Sequence, residues 1–254
     1  MKSAPPSLEL YHGLASACSK KVRLCLYEKN LPFVSRLLDL QKFEQHAPGY
    51  LALNPDGVVP TLVHNGRPIL ESSFIIEYLD VTFPEIPLRP ADAAGRACVS
   101  SWLKFSDNVA YSAVYIPTWM HLSAGAMHGL SREERKATLA RVPTGERRAR
   151  WEQVTSGGFP PAEIESAYEK MRVCLARCED ALAGGPWLAG TAYTLADIAV
   201  VPFIDRIRNL KPEFLAAPAY PRLGDWYARM RARPAFAKAF DFRDDPRAAS
   251  LPNL

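Results

Sequence analysis

Nowhere in this chain do apolar residues run on for the roughly 18 positions that a membrane-spanning helix requires, so no membrane helix is expected. The opening residues Met1-Lys2-Ser3-Ala4-Pro5-Pro6-Ser7 lack the apolar stretch of a secretory signal, which predicts no signal peptide. Charge of one sign is missing too. The 31 Lys and Arg against 27 Asp and Glu leave a net +4, with both signs mixed along the chain. That balance offers no basic stripe for nucleic acid, and the locally basic Arg147-Arg148-Ala149-Arg150 reads as a solvated loop or helix face. Cysteine is sparse and odd in number. Cys18, Cys25, Cys98, Cys174 and Cys178 have no metal-ligand spacing, so no metal is expected; Cys174 and Cys178, four apart on an expected helix, read as packed thiols, and the set suits a reducing cytosol. Internal repeats and low-complexity tracts are also absent.

What is present falls into two parts. The 254 residues, 48% of them hydrophobic, allow one large or two small domains with a real core. Residues 7–81 alternate strand and helix. Leu8–Tyr11 reads as a strand, Lys20–Lys29 as a helix ended by Asn30-Leu31-Pro32, and Phe33–Leu38 as a second strand. A less regular segment runs from Asp39 to Pro55. Then Val58-Val59-Pro60-Thr61-Leu62-Val63-His64-Asn65-Gly66-Arg67-Pro68-Ile69-Leu70-Glu71-Ser72-Ser73 gives strand, tight turn, strand and helix start. Asn65-Gly66 is a strong hairpin signal, because both turn positions accept positive φ. Pro60 heads its strand, where an X-Pro bond is able to be cis; a cis bond would leave Val59 presenting its N–H and C=O to an extended peptide. Ser72 opens a helix to Val81 whose unpaired N–H groups suit a carboxylate. An open backbone edge beside an anion pocket is a site for a small acidic peptide.

The segment Thr82–Pro90 carries three prolines and reads as a linker. Beyond it the pattern is helical. Val99, Trp102, Leu103, Ser106, Val109, Ala110, Ala113 and Val114 keep a helical period from about residue 92, and residues 162–183 form another helix. A third opens on the capping-box variant Thr194-Leu195-Ala196-Asp197, and a last one spans about 220–232.

The hairpin, the proline at its head and the Glu71-Ser72 pair resemble the thiol-binding half of the glutathione transferases. Thr194–Ala199 resembles the capping motif of their helical half. The resemblance covers about residues 8–235. It implies an α/β thioredoxin-like N-terminal domain, residues 1–82, plus an all-α C-terminal domain, residues 91–254. It implies glutathione as co-substrate, with Val59 and Pro60 at the cysteinyl backbone and Glu71 and Ser72 at the γ-glutamyl end. Gln45 and His46, just before Leu53-Asn54-Pro55, match positions that hold the glycyl carboxylate. Asp197 is structural in this reading.

Glutathione chemistry needs a thiolate, and an ordinary thiol is mostly protonated at neutral pH. Ser16-Ala17-Cys18-Ser19-Lys20-Lys21-Val22-Arg23 resembles the Ser-Ser-Cys-Ser-x-x-Val-Arg run of the zeta class. Ser16 takes the place of its activating serine, while Ala17 departs from the pattern. Ser19 is a second candidate donor, and either serine also fits a helix N-cap. Cys18 is a less favoured alternative, as a partner in a mixed disulfide.

The run Lys42–His46 and the segment carrying Val142-Pro143, Arg147–Trp151 and Gly158-Phe159-Pro160 resemble bacterial β-aryl-etherases of lignin breakdown, in which the position of Ser19 also carries a serine. That implies an aromatic small-molecule substrate, for which Tyr111, Tyr115, Trp119 and Met120, close to Met127, form the expected pocket wall. Family likeness also implies a cytoplasmic dimer, of two copies or with a sister transferase. Two other readings stay open: a zeta-like maleyl-acid isomerase, and a non-catalytic binding protein on the same fold.

Overall fold

A computed structural model describes residues 7–127, 129–216, 219–241 and 245–250. The opening stretch read for a signal peptide thus lies outside the described residues, apart from Ser7.

Leu8, Leu10 and His12 face inward from β1 (Leu8–His12) in strict alternation, the period of a half-buried strand. Ser16 then caps α1 (Ala17–Glu28), so this helix starts a turn earlier than its apolar pattern indicates. It leads into β2 (Val34–Leu37), which pairs parallel with β1. The segment expected to be irregular holds two short 3₁₀ turns, Leu40–Lys42 and Glu44–His46, and the single-turn α2 (Pro48–Leu51). The hairpin follows as β3 (Thr61–His64) and β4 (Arg67–Ile69), turning on Asn65 and Gly66 with φ of 50° and 80°. These are the signs a two-residue type I′ turn requires. α3 (Ser72–Thr82) closes this part. The sheet order is β2-β1-β3-β4, with β3 antiparallel to both neighbours.

Only helices follow. α4 (Ala93–Phe105) continues through a π-helical turn, Ser106–Ala110, into α5 (Tyr111–Thr118), and a second such turn spans Trp119–Ser123. The apolar stripe read from the sequence faces the core, with Val99, Trp102, Leu103, Ala110, Ala113 and Val114 buried. α6 (Arg132–Ala140) and α7 (Gly145–Thr155) are two helices that apolar periodicity did not announce, because both are highly charged. α8 (Pro161–Ala181), α9 (Leu195–Leu210), α10 (Pro221–Arg231) and α11 (Pro234–Phe240) complete the set, α11 being a further helix the sequence pattern did not mark.

Almost all of α9 is buried, and α1 packs against α3, α9 and α11, so the main core runs through both parts of the chain. The capping box forms in both directions between Thr194 and Asp197. Asp197 also accepts the Leu188 N–H at 3.0 Å and the Trp226 indole N–H at 2.8 Å. The proline-rich connection is fastened rather than loose. The Asp80 carboxylate accepts from Lys29 Nζ at 3.1 Å, the Leu88 N–H at 2.8 Å and Arg89 Nε at 3.0 Å. A second, smaller core of Phe43, Trp119, Met127, Val142, Trp151 and Phe159 lies under α7. Cys25, Cys174 and Cys178 are packed thiols. Among the described residues no helix is long and apolar enough to cross a membrane, and no His, Cys, Asp and Glu group is arranged to hold a metal.

Candidate active site

A cavity of about 830 Å³ opens between the sheet half and the helical half. Ser16, Gln45, His46, Val59, Pro60, Glu71 and Ser72 line one side, and Tyr111, Tyr115 and Trp119 line the other.

The peptide-binding edge is built from the turn before β3. The Val59–Pro60 bond is cis. The Val58 carbonyl is taken by the Tyr50 hydroxyl and by Asn54 Nδ2, and both of those groups also hold Thr61 Oγ1. With Val58 so anchored, Val59 faces the cavity, and its N–H and C=O have no partner among the described residues.

Glu71 sits at φ 65° and ψ 111°, outside the regions a residue with a Cβ prefers. Its side chain makes no capping bond to α3. Among the described residues the helix therefore presents N-terminal amides without partners next to Ser72, with the Glu71 carboxylate beside them. Beneath, the fully buried Lys21 donates to Ser73 Oγ at 2.9 Å and to Asp107 Oδ1 at 3.0 Å. This knot ties α1, α3 and the π turn together under the site. Lys21 and Asp107 were not singled out in the sequence; their partners lie 52 and 86 residues away.

The two serines part company. Ser16 lines the cavity, and its Oγ accepts the Ser19 N–H at 3.1 Å, which leaves its own proton to donate. Ser19 is fully buried and does not reach the cavity; its Oγ accepts the Gly13 N–H at 3.2 Å. Ser19 as thiolate donor is thus corrected: it braces the loop before α1. Cys18 lines the cavity, but burial pushes its thiol up despite Lys21 and Ser72 nearby, which disfavours a resident thiolate there.

Gln45 and His46 stand on the second 3₁₀ turn, where Phe43 adopts a left-handed φ of 59°. Gln45 Oε1 and His46 Nδ1 are buried with no hydrogen-bond partner among the described residues. Burial, then Arg147 and Arg141, lower His46 to about 4, so its ring is neutral at ordinary pH. Gly57 is required beside it: at φ +59°, a Cβ would meet the His46 ring at 2.7 Å and Pro143 at 3.1 Å.

The aromatic wall is a ladder. Tyr111 and Tyr115 lie 5.4 Å apart, Tyr115 and Trp119 5.7 Å, and Trp119 and Trp151 4.7 Å. Burial raises both tyrosines, keeping their hydroxyls protonated as donors. Met120 is a correction. It is 39% exposed and borders a separate shallow pocket with His121 and Lys211. Met127 is buried in the small core beneath the ladder rather than on the wall. The basic run is a second correction. It forms the start of α7, and Arg147 and Arg150 line the cavity instead of only meeting solvent. Arg206 also reaches the site, donating to the Ala15 carbonyl and to Thr118 Oγ1.

Comparison with known proteins places this geometry. Residues 10–87 match the family described as glutathione S-transferase, N-terminal domain, and residues 139–234 match glutathione S-transferase, C-terminal domain. The chain is 34% identical to protein LigF of Sphingobium sp. over 241 residues, 92% of this chain and 93% of that protein. The crystal structure of β-etherase LigF from Sphingobium sp. strain SYK-6 superposes with a TM-score of 0.87 at 32% identity, covering 93% of this chain and 99% of the other. A zeta-class glutathione S-transferase of Euphorbia esula is 41% identical over 93 residues, 36% of this chain and 41% of that protein.

Proposed function

The chain belongs to the glutathione S-transferase family, and from that premise we propose that it cleaves β-aryl ether bonds of lignin-derived aromatics. One observation carries the reading. The wall bearing Ser16, Val59, Glu71 and Ser72 shares a single cavity with the Tyr111–Tyr115–Trp119 ladder, so a bound thiol faces a bound aromatic ring. The likeness to β-etherase LigF along nearly the whole chain supports the choice of reaction.

In this reading Glu71 takes the glutathione ammonium and the α3 amides with Ser72 take its α-carboxylate. Val59 pairs with the cysteinyl backbone. The Ser16 hydroxyl donates to the sulfur and favours the thiolate. The thiolate attacks the carbon that bears the ether oxygen, next to a ketone. A C–S bond forms, the C–O bond breaks, and its electron pair leaves as phenolate. The ketone makes the carbon electrophilic, and the protein activates sulfur, orients the ring and excludes water. The two domains, 1–82 and 91–254, each supply one face of the site, and the working unit is a cytoplasmic dimer.

The Euphorbia zeta-class likeness and the Arg147 and Arg206 side chains at the cavity favour a second reading, isomerisation of a maleyl-type diacid. One experiment decides. An α-keto β-aryl ether incubated with the protein should release its phenol only when glutathione is present, leaving the glutathione thioether. Absence of phenol with turnover of a maleyl-type acid replaces the first reading by the second.

A further inference from the structure

Glutathione laid with its ammonium at Glu71 and its cysteine along Val59 sends its glycyl carboxylate toward Gln45 and His46. Among the described residues the sheet half supplies no free positive charge there. His46 is neutral, lowered to about 4 by burial first and then by nearby arginines. Lys42 is 77% exposed and bound to Asp39 at 3.2 Å. Gln45 brings only an amide. A carboxylate in a partly dehydrated cleft needs a cation to offset its lost hydration.

The helical half brings one. Arg147 lines the cavity, and its charge acts on His46, Tyr111 and Tyr115 together. It has no carboxylate partner among the described residues, whereas Arg150, the other arginine of α7 on this wall, is neutralised by Glu163 at 2.8 Å. Arg141 also acts on His46, but it donates to the Phe43 carbonyl at 3.4 Å and does not line the cavity.

Packing holds Arg147 where the carboxylate would fall. Residues four apart on a helix share a face, and four residues beyond Arg147 comes Trp151, packed with its ring centre 4.8 Å from that of Phe43 at the head of the Gln45–His46 turn. Pro143 presses on Gly57 from the same side as the His46 ring. The face of α7 that carries Arg147 is thus clamped onto the turn that carries Gln45 and His46.

We propose that Arg147 binds the glycyl carboxylate of glutathione, so that α7 of the helical half completes the glutathione site. The proposal rests on the glutathione reading above. Its alternative assigns Arg147 to the aromatic substrate, beside Tyr111.

The test compares glutathione with glutathione amidated at its glycyl carboxyl, binding to wild type, Arg147→Gln and Arg147→Lys, followed by calorimetry. Wild type should bind glutathione roughly 10- to 100-fold more tightly than the amide, the range of one charge-assisted contact. Arg147→Gln should bind both equally, at the wild-type affinity for the amide. Arg147→Lys, which keeps the charge, should recover part of the preference and guards against a folding defect. Full discrimination retained in Arg147→Gln overturns the proposal, as does unchanged glutathione affinity with a raised KM for the aromatic substrate. Failure of the wild type to bind glutathione at all would overturn the glutathione reading itself, and this proposal with it.

Discussion

Ser16 Oγ accepts the Ser19 N–H at 3.1 Å, so one oxygen both closes the first turn of α1 and faces the cavity. The two roles are separable by substitution. Ser16→Ala removes cap and hydroxyl together, and a lost cap costs about 0.5–2 kcal/mol, but glycine at an N-cap costs only a few tenths. Ser16→Gly should therefore leave stability nearly intact while raising the pKa of bound glutathione. If the hydroxyl carries the activation in full, the rate should fall by up to about 10²–10³-fold. Thiolate absorbance against pH, read beside urea unfolding, checks both halves. An unshifted thiol pKa would assign activation to the backbone amides of α1.

Ser19→Ala should behave in the opposite way. It strands the buried Gly13 N–H, and an unsatisfied buried donor costs about 1–3 kcal/mol. The melting temperature should fall while the pKa of bound glutathione stays where it was. A shifted thiol pKa in this variant would restore Ser19 as the activating group.

Glu71 invites a comparison of charge and strain. Glu71→Gln keeps the shape and removes the charge, so glutathione should bind roughly 10- to 100-fold more weakly. Glu71→Gly relieves the positive φ of 65°, a conformation worth about 1–3 kcal/mol of strain at such sites. That gain exceeds or balances glycine's added chain entropy of about 0.5–1 kcal/mol. The glycine variant should be as stable as wild type or more so, yet poor at binding. A clear loss of stability would show that the Glu71 side chain has a structural role.

His46 sets a pH dependence of stability. An unfolded histidine titrates near 6.5, while in the fold burial and two arginines lower His46 to about 4. Between those values the unfolded chain binds a proton that the folded chain refuses, so stability falls as pH drops from 6.5 toward 4. Above pH 6.5 this contribution is fully present. His12 acts in the same direction, its ring lowered by burial and by Arg23 beside it at 3.0 Å. His46→Gln should therefore flatten the difference in unfolding free energy between pH 7 and pH 5. An unchanged difference would mean that His46 is protonated in the fold.

The legible parts of the sequence were those decided locally. Asn65-Gly66 dictates its turn, and Thr194 with Asp197 dictates a helix start, because the partners lie within a few residues. Ser16 and Ser19 were not separable, since both suit a first helical turn and only burial of one face distinguishes them. Met120 was misplaced because it follows Trp119 by one residue. The two stand on one π turn, and a single step around it is enough to turn a side chain off the cavity wall. Arg147 is hidden for another reason: a charged residue on a polar helix looks solvated until distant packing aims it inward. α6 and α7 leave no helical apolar period in the sequence because they carry few apolar residues and rest on the small core around Phe43 and Trp151.

The carboxylate of Asp80 gathers Lys29, the Leu88 N–H and Arg89, and Leu88 in turn accepts the Leu195 N–H at 2.8 Å through its carbonyl. A single buried oxygen pair thus moors the crossing between the halves to the first helix and, one bond further, to the head of α9. Held at both ends in this way, the crossing works as a brace between the halves and not as a slack tether.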